Sequence, residues 1–469
     1  MMKKVILALH LLFVGIPLVL SQENNDTIPA DTKLSGSADK LRGALSPIRT
    51  CYDVHYYDLQ VRIFPDRRYL QGSNRIHFQV MQPTRALQID LFKNMEIDSI
   101  LWSGKSLSFK RKHNAVLVSF PEILKKGDLE NIEVYYQGEP KSNLGAHGDS
   151  GFHWKKDAEG RHWAGMMVEH TGASLWYPNK DHLSDEPDSV KLAWEVPDTL
   201  TVISNGICVE TKPLEKGWKR STWLVSYPID NYNITFNIGS YKKLLIPYVK
   251  DTITHELALY ALDYEPDSLV FEYFKKLPEM MAFFEEIYGE FPFWRDDFKV
   301  IQAPYRGMEH QTCLATGADL RKPIGAENWS YPYISSFRSV VAHELAHEWW
   351  GNAISVSDMA DLWIQEGLAT YSELLFIEHI HNKKTYNYAA NDLERFWKSG
   401  SPLVGERDVN DDMFHDNTVY FKGADMLYHL RKRLKDDELF FKFLRTFYQR
   451  FKLKTVTTKD FTDTFTEIT

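Results

Sequence analysis

The sequence predicts an α+β protein: an N-terminal antiparallel β domain followed by a mainly helical domain. Three observations carry this. From about residue 50 to 245, apolar side chains recur with period two: Tyr57, Leu59, Val61 and Ile63, then Ile76, Phe78 and Val80, then Leu87, Ile89 and Leu91, then Ile132 and Val134. Short runs of this kind, punctuated by Pro65-Asp66 and Gly72-Ser73, are the mark of half-buried strands. After about 246 the pattern lengthens. Asp267 to Tyr288 is a helical stretch interrupted at Pro278, and 363–380 reads as an unbroken helix.

The chain has 469 residues, of which 43% are hydrophobic, enough for two or three cores. Residues 1–21 read as a secretory signal peptide, with Lys3 and Lys4 ahead of an apolar run from Val5 to Leu20 and a cleavage point before Gln22. An exported protein is therefore expected, with no membrane segment beyond the signal. Residues 22–49 are polar and read as a flexible lead-in, 50–245 as the β domain and 246–469 as the helical domain. The formal net charge is −9, and losing the two lysines of the signal leaves −11. With no basic cluster, nucleic acid is excluded as a partner. Cys51, Cys208 and Cys313 are an odd set, so this is not a disulfide scaffold. Gly104-Lys105-Ser106 imitates the end of a phosphate loop, but Ser99 stands where its first glycine would be, and the segment reads as a turn.

One stretch carries chemistry: His343-Glu344-Leu345-Ala346-His347. On a helix His343 and His347 lie one above the other, a spacing that lets two imidazoles share one metal ion. Glu344 is placed to reach a water on that ion. Ser335 or Ser336 can cap this helix, and Gly351-Asn352 can end it. A second helix downstream carries Glu366. Two histidines and one carboxylate leave a fourth position open, which is the catalytic rather than the structural zinc arrangement. Metal-bound histidines need a hydrogen-bond partner on the other ring nitrogen, and Glu373, Asp358 and Asp361 are rivals for that role.

His343-Glu344-x-x-His347, then eighteen residues, then Glu366 resembles the zinc signature of the M1 metallopeptidases, the aminopeptidase N type of gluzincin. Three further segments extend the resemblance. Val168-Glu169-His170-Thr171-Gly172-Ala173 is similar to the segment by which the family's β domain reaches the active site. Gly307-Met308-Glu309-His310 is similar to the family's Gly-x-Met-Glu-Asn, without the intervening residue and with His310 for Asn. Tyr420-Phe421-Lys422-Gly423 matches its Tyr-x-Lys-Gly element. Where the family more often has Cys-Phe-Asp, this chain carries a longer polar insert, Asn179 to Asp185.

The resemblance covers about 50–469. It implies a saddle-like β domain and a thermolysin-like catalytic domain, in a secreted form without the family's C-terminal helical domain. It implies one zinc ion per chain held by His343, His347 and Glu366, with Glu344 as general base and Tyr420 as donor to the oxyanion. Glu309 and Glu169, with Gly307 and Met308, would bind substrate through its free amino group. The expected activity is hydrolysis of the first peptide bond of peptides with a free N-terminus. A gluzincin endopeptidase, an epoxide-hydrolase-like activity and a non-catalytic scaffold are the alternatives, the last disfavoured because every ligand is retained.

Overall fold

The computed structural model describes residues 37–142, 144, 150–169, 171–317, 319–321, 339–397, 399–410 and 417–469. The signal peptide, Ser335, Ser336 and His170 lie outside them.

The β half is built on an eight-stranded sheet. Its strands run, in spatial order, Ile207–Pro213, Trp218–Val225, Ser189–Pro197, Tyr52–Phe64, Tyr69–Val80, Leu129–Gly138, Met95–Trp102 and Lys105–Ser106. All neighbours are antiparallel except Tyr52–Phe64 with Ser189–Pro197, a parallel pair closed by a long excursion of the chain. A three-stranded and a four-stranded sheet complete this half. The period-two residues do what alternation requires: Tyr57, Leu59, Ile63, Ile76, Phe78 and Val134 are all 0% exposed in one apolar core. Ser103 and Gly104, both with positive φ, form the two-residue turn between Met95–Trp102 and Lys105–Ser106, so of the segment read as a turn only Gly104 is in it and Lys105–Ser106 is the strand that follows.

The lead-in expected over 22–49 does not hold for its described part. Ser37–Gly43 and Pro47–Thr50 are helical, and Arg49 is fully buried. Its guanidinium donates to Asp90 Oδ2 at 2.6 Å and to the carbonyl of Asp181 at 2.9 Å. A polar segment is ordered here because one cation reaches a buried anion. The Asn179–Asp185 insert is the other side of that contact. Lys180 pairs with Asp185, and Asp181 accepts from the Ser174 hydroxyl and lies 3.8 Å from Arg42.

The boundary expected at 245/246 falls inside a strand. Tyr241–Lys250 pairs along its length with Ile253–Leu262 in a five-stranded sheet continued by Phe298–Ile301, Cys313–Thr316 and the edge strand Gly307–Met308. This sheet divides the two cores. Ile301, Ala315 and Met308 face the β half, while Val300 and Leu314 face the helical half. Its edge strand therefore enters the seam between the halves, where the site lies.

On the helical side Asp267–Phe274 and Leu277–Tyr288 are separate helices, with Pro278 in the first turn of the second. Trp363–Ile380 is one helix with the predicted bounds. It is almost wholly buried, enclosed by Ser339–Ala346, Gly423–Leu434 and Lys383–Asn391. None of the described helices is long and apolar enough to cross a membrane.

Candidate active site

His343 and His347 sit on Ser339–Ala346 and the turn after it. The helix then widens into a π turn, Glu348–Asn352, in which Gly351 takes φ 130°. That excursion points the Trp350 carbonyl back, and His347 Nδ1 donates to it at 2.8 Å. His343 Nδ1 is 3.0 Å from Glu373 Oε1. The rivals are engaged elsewhere: Asp361 with Arg407 and Thr458, Asp358 with the amides of Ala360 and Asp408.

With both Nδ1 atoms turned toward oxygen partners, both Nε2 atoms are left facing one another. They lie 3.1 Å apart, and Glu366 Oε2 lies 3.3 Å from one and 3.4 Å from the other. Two imidazole nitrogens and a carboxylate facing one another call for positive charge among them, protons on the rings or a metal ion. The electrostatics agree. Burial alone would lower the histidines, yet Glu366 and Glu373 raise His343 well above its ordinary pKa, and Glu366 raises His347. Burial alone would raise Glu366, yet the two histidines hold it well below the carboxylate range. The centre is built for positive charge, and its N,N,O donor set fits zinc. In the protein as described, these three residues are the ones that would hold the ion.

Glu344 is 5% exposed, and burial pushes its carboxyl up to about 8 against the lowering effect of the two histidines. It packs against the edge strand at Gly307, where a β-carbon would collide with its Oε1. Glu309 follows on that strand and is 4% exposed. One donor atom from each of Glu309, Glu344 and His347 lies within 4.8 Å of the others, and the same holds for Glu169, Glu309 and Glu366. The fold thus brings Glu169, from the β half, and Glu309, from the sheet edge, to the metal centre. Met308, between Gly307 and Glu309 on the edge strand, is 2% exposed, and its side chain packs in the β-side core.

Tyr420 lies in the π turn Thr418–Lys422, its ring stacked at 6.2 Å from that of His343. Burial, and then the charge of Glu366, raises its pKa well above the ordinary tyrosine value, so the phenol keeps its proton and can donate. The helix after it starts at Gly423, packed against Gly367, the residue following Glu366. A β-carbon on either glycine would lie 2.8 Å from the other's Cα.

Three further residues lie around Glu309. Tyr232 donates from its hydroxyl to Glu309 Oε1 at 3.0 Å. Asn352 Nδ2 donates to the Glu309 carbonyl at 2.8 Å and is oriented by Asn233. His310, next in sequence, is 0% exposed, with no hydrogen bond at either ring nitrogen, and burial lowers its pKa to about 3.

A cation-seeking His-His-Glu centre with a glutamate beside it defines a metal-dependent hydrolase. Residues 54–232 match the peptidase M1 N-terminal domain and residues 273–469 match the peptidase family M1 domain. The chain belongs to peptidase family M1. It is 22% identical over 372 residues to aminopeptidase 2 of Candida albicans, covering 78% of this chain and 37% of that protein. It is 22% identical over 437 residues to leukotriene A-4 hydrolase of Xenopus laevis, covering 87% of this chain and 67% of that one. The chain thus spans little more than a third of the first of these relatives. Among solved structures, an M1 zinc metallopeptidase from Deinococcus radiodurans aligns with a TM-score of 0.72 at 22% identity, covering 89% of this chain and 90% of that one. Yeast LTA4 hydrolase bound to bestatin aligns with a TM-score of 0.74 at 20% identity, covering 94% and 67%.

Proposed function

We propose that the protein is a zinc aminopeptidase that removes the first residue of peptides with a free N-terminus. The observation that carries this is the second set of carboxylates: Glu169 and Glu309 converge with Glu366 within 4.8 Å. A metal centre needs only one carboxylate ligand and one base. Two more acids beside it, Glu309 buried and Glu169 half-buried, match an α-ammonium, which is costly to bury without anions to meet it. An endopeptidase has no use for them. A bound zinc ion, one per chain on His343, His347 and Glu366, would supply Lewis acidity toward the scissile carbonyl and its attacking water. The chain's own residues do the rest. Glu344 accepts a proton from the water and passes it to the leaving amine. Tyr420 donates a hydrogen bond to the developing oxyanion. Glu309, held by Tyr232 and Asn352, and Glu169 orient the amine, so that only the first peptide bond reaches Glu344.

The test compares an amino-acid amide with its N-acetyl form. Cleavage of the first and not the second supports the reading, while internal cleavage of an N-acetylated peptide at a comparable rate defeats it. The positive, apolar N-terminal stretch also supports export, which requires the mature chain to begin near Gln22 when its N-terminus is sequenced.

A further inference from the structure

A second group of metal-binding side chains lies on the helix that follows Tyr420. Asp425 and His429 stand one turn apart on one face of Gly423–Leu434, and Glu394 comes from the short 3₁₀ turn Leu393–Arg395. One donor atom from each of the three lies within 4.8 Å of the other two. His429 Nε2 is 3.3 Å from Asp425 Oδ1. Two ligands of a tetrahedral zinc ion, each bonded at about 2.0–2.1 Å, stand about 3.3–3.4 Å apart, so this pair already has the spacing of neighbouring ligands. Glu394 is exposed and has the rotamer freedom to close the remaining distance.

An ion pair alone does not account for the group. Asp425 is 8% exposed, and among the described residues its carboxylate accepts no hydrogen bond and meets no lysine or arginine. Burial raises its pKa, the charge of His429 opposes this, and that of Glu394 adds to it. The adjoining cations are committed elsewhere, Arg395 to Asp392 and Lys422 to the Ser401 carbonyl. A proton on His429 would bring one positive charge to two carboxylates, whereas a divalent ion brings two and leaves the imidazole free to ligate.

We propose that Glu394, Asp425 and His429 hold a second divalent transition-metal ion, which clamps the Leu393–Arg395 turn to the helix behind Tyr420. One imidazole and two carboxylates suit zinc or manganese, and the imidazole disfavours magnesium and calcium, which take oxygen ligands. The clamp has a reach. The turn that carries Glu394 also packs against the π turn Thr418–Lys422, where the Phe396 and Phe421 ring centroids are 5.0 Å apart. An ion held here ties that turn to the segment bearing Tyr420, whatever the catalytic centre hydrolyses.

The full chain, already loaded with one equivalent of zinc, is titrated with further Zn²⁺ by calorimetry. Binding of one more ion at micromolar free zinc is expected, with a rise in melting temperature. His429→Ala and Glu394→Gln should each weaken that binding at least about tenfold and remove the rise. Both residues reach the surface, and the melting temperature without added zinc shows that each variant is folded. No second ion bound at millimolar zinc overturns the proposal. Binding unchanged in either folded variant overturns it too, since the ion then sits elsewhere on the chain. Magnesium bound as tightly as zinc overturns the role of the imidazole and the proposal with it.

Discussion

Gly307 and Glu344 touch across the seam between the two halves, the backbone of one against the carboxylate of the other, with no room for a β-carbon. The Val340 side chain closes the same gap. The edge strand thus fixes where the general base points. Gly307→Ala is expected to push Glu344 off line and lower kcat/KM by on the order of 10²-fold, the scale of a 1 Å misplacement at a reacting centre. Melting temperature should change by only a few degrees. Kinetics and a thermal melt on the same preparation decide this, and an alanine variant with wild-type rates refutes the contact's role.

Metal and proton transfer separate by mutation. His343→Ala and Glu366→Ala should lose most bound zinc. Glu344→Gln should keep it and lose nearly all activity, because an amide cannot accept the water's proton. Elemental analysis beside an activity assay tests both, and a fully active metal-free protein would sink the mechanism.

For Tyr420 the readout is kcat. Tyr420→Phe removes one donor aimed at developing charge, a loss of about 10²–10³ in kcat with little change in KM. A fall under threefold would return Tyr420, stacked on His343, to a packing role.

At the amine end, Glu309→Ala should cost about 2–4 kcal/mol in kcat/KM, the range for removing one partner of a buried charge pair. Tyr232→Phe keeps the carboxylate but deletes its hydrogen bond, and should cost about 1–2 kcal/mol. A larger effect for Tyr232→Phe than for Glu309→Ala would reverse the assignment.

Acid should weaken the fold through two buried histidines. Burial lowers His182 to about 4 and His310 to about 3, against an ordinary 6.5. Each is neutral when folded and takes up a proton more readily when unfolded. Their stability is fully present above pH 6.5 and is lost as pH falls toward 4 and 3, on the order of 3 kcal/mol each. Glu348, raised by burial to about 8, works in the opposite direction, gaining stability from 8 downward. The difference between wild-type and His182→Gln melts across pH 7 to 4 removes that shared contribution. Glutamine can still donate to the Gly43 carbonyl, the bond His182 Nε2 makes at 2.9 Å. The variant should show the shallower acid slope.

What the sequence revealed was what lies close along the chain. His343, Glu344 and His347 share one turn, Glu366 and Glu373 share one helix face, and Tyr420 precedes Lys422 and Gly423 at a recognisable spacing. Tyr232 and Asn352 escaped because their roles exist only once distant segments meet: Tyr232 is 77 positions from its partner Glu309. The 37–49 segment looked mobile because its composition is polar, and nothing local announces that Arg49 has Asp90 to reach. The domain boundary escaped for the opposite reason. The period-two pattern runs on through Ile253–Leu262, so composition gives no break at the point where the sheets change.

The meeting of Gly367 and Gly423 sets a tolerance. Between most helices a layer of side chains acts as a compressible shim, and substitutions over time alter its thickness by tenths of an ångström. Here backbone lies directly on backbone, and the gauge is the peptide chain itself, whose dimensions no mutation elsewhere can change. Glu366 and Tyr420, one residue before and three before the two glycines, inherit that gauge. The spacing of a metal ligand from an oxyanion donor is thereby insulated from drift in the surrounding core, which remains free to vary.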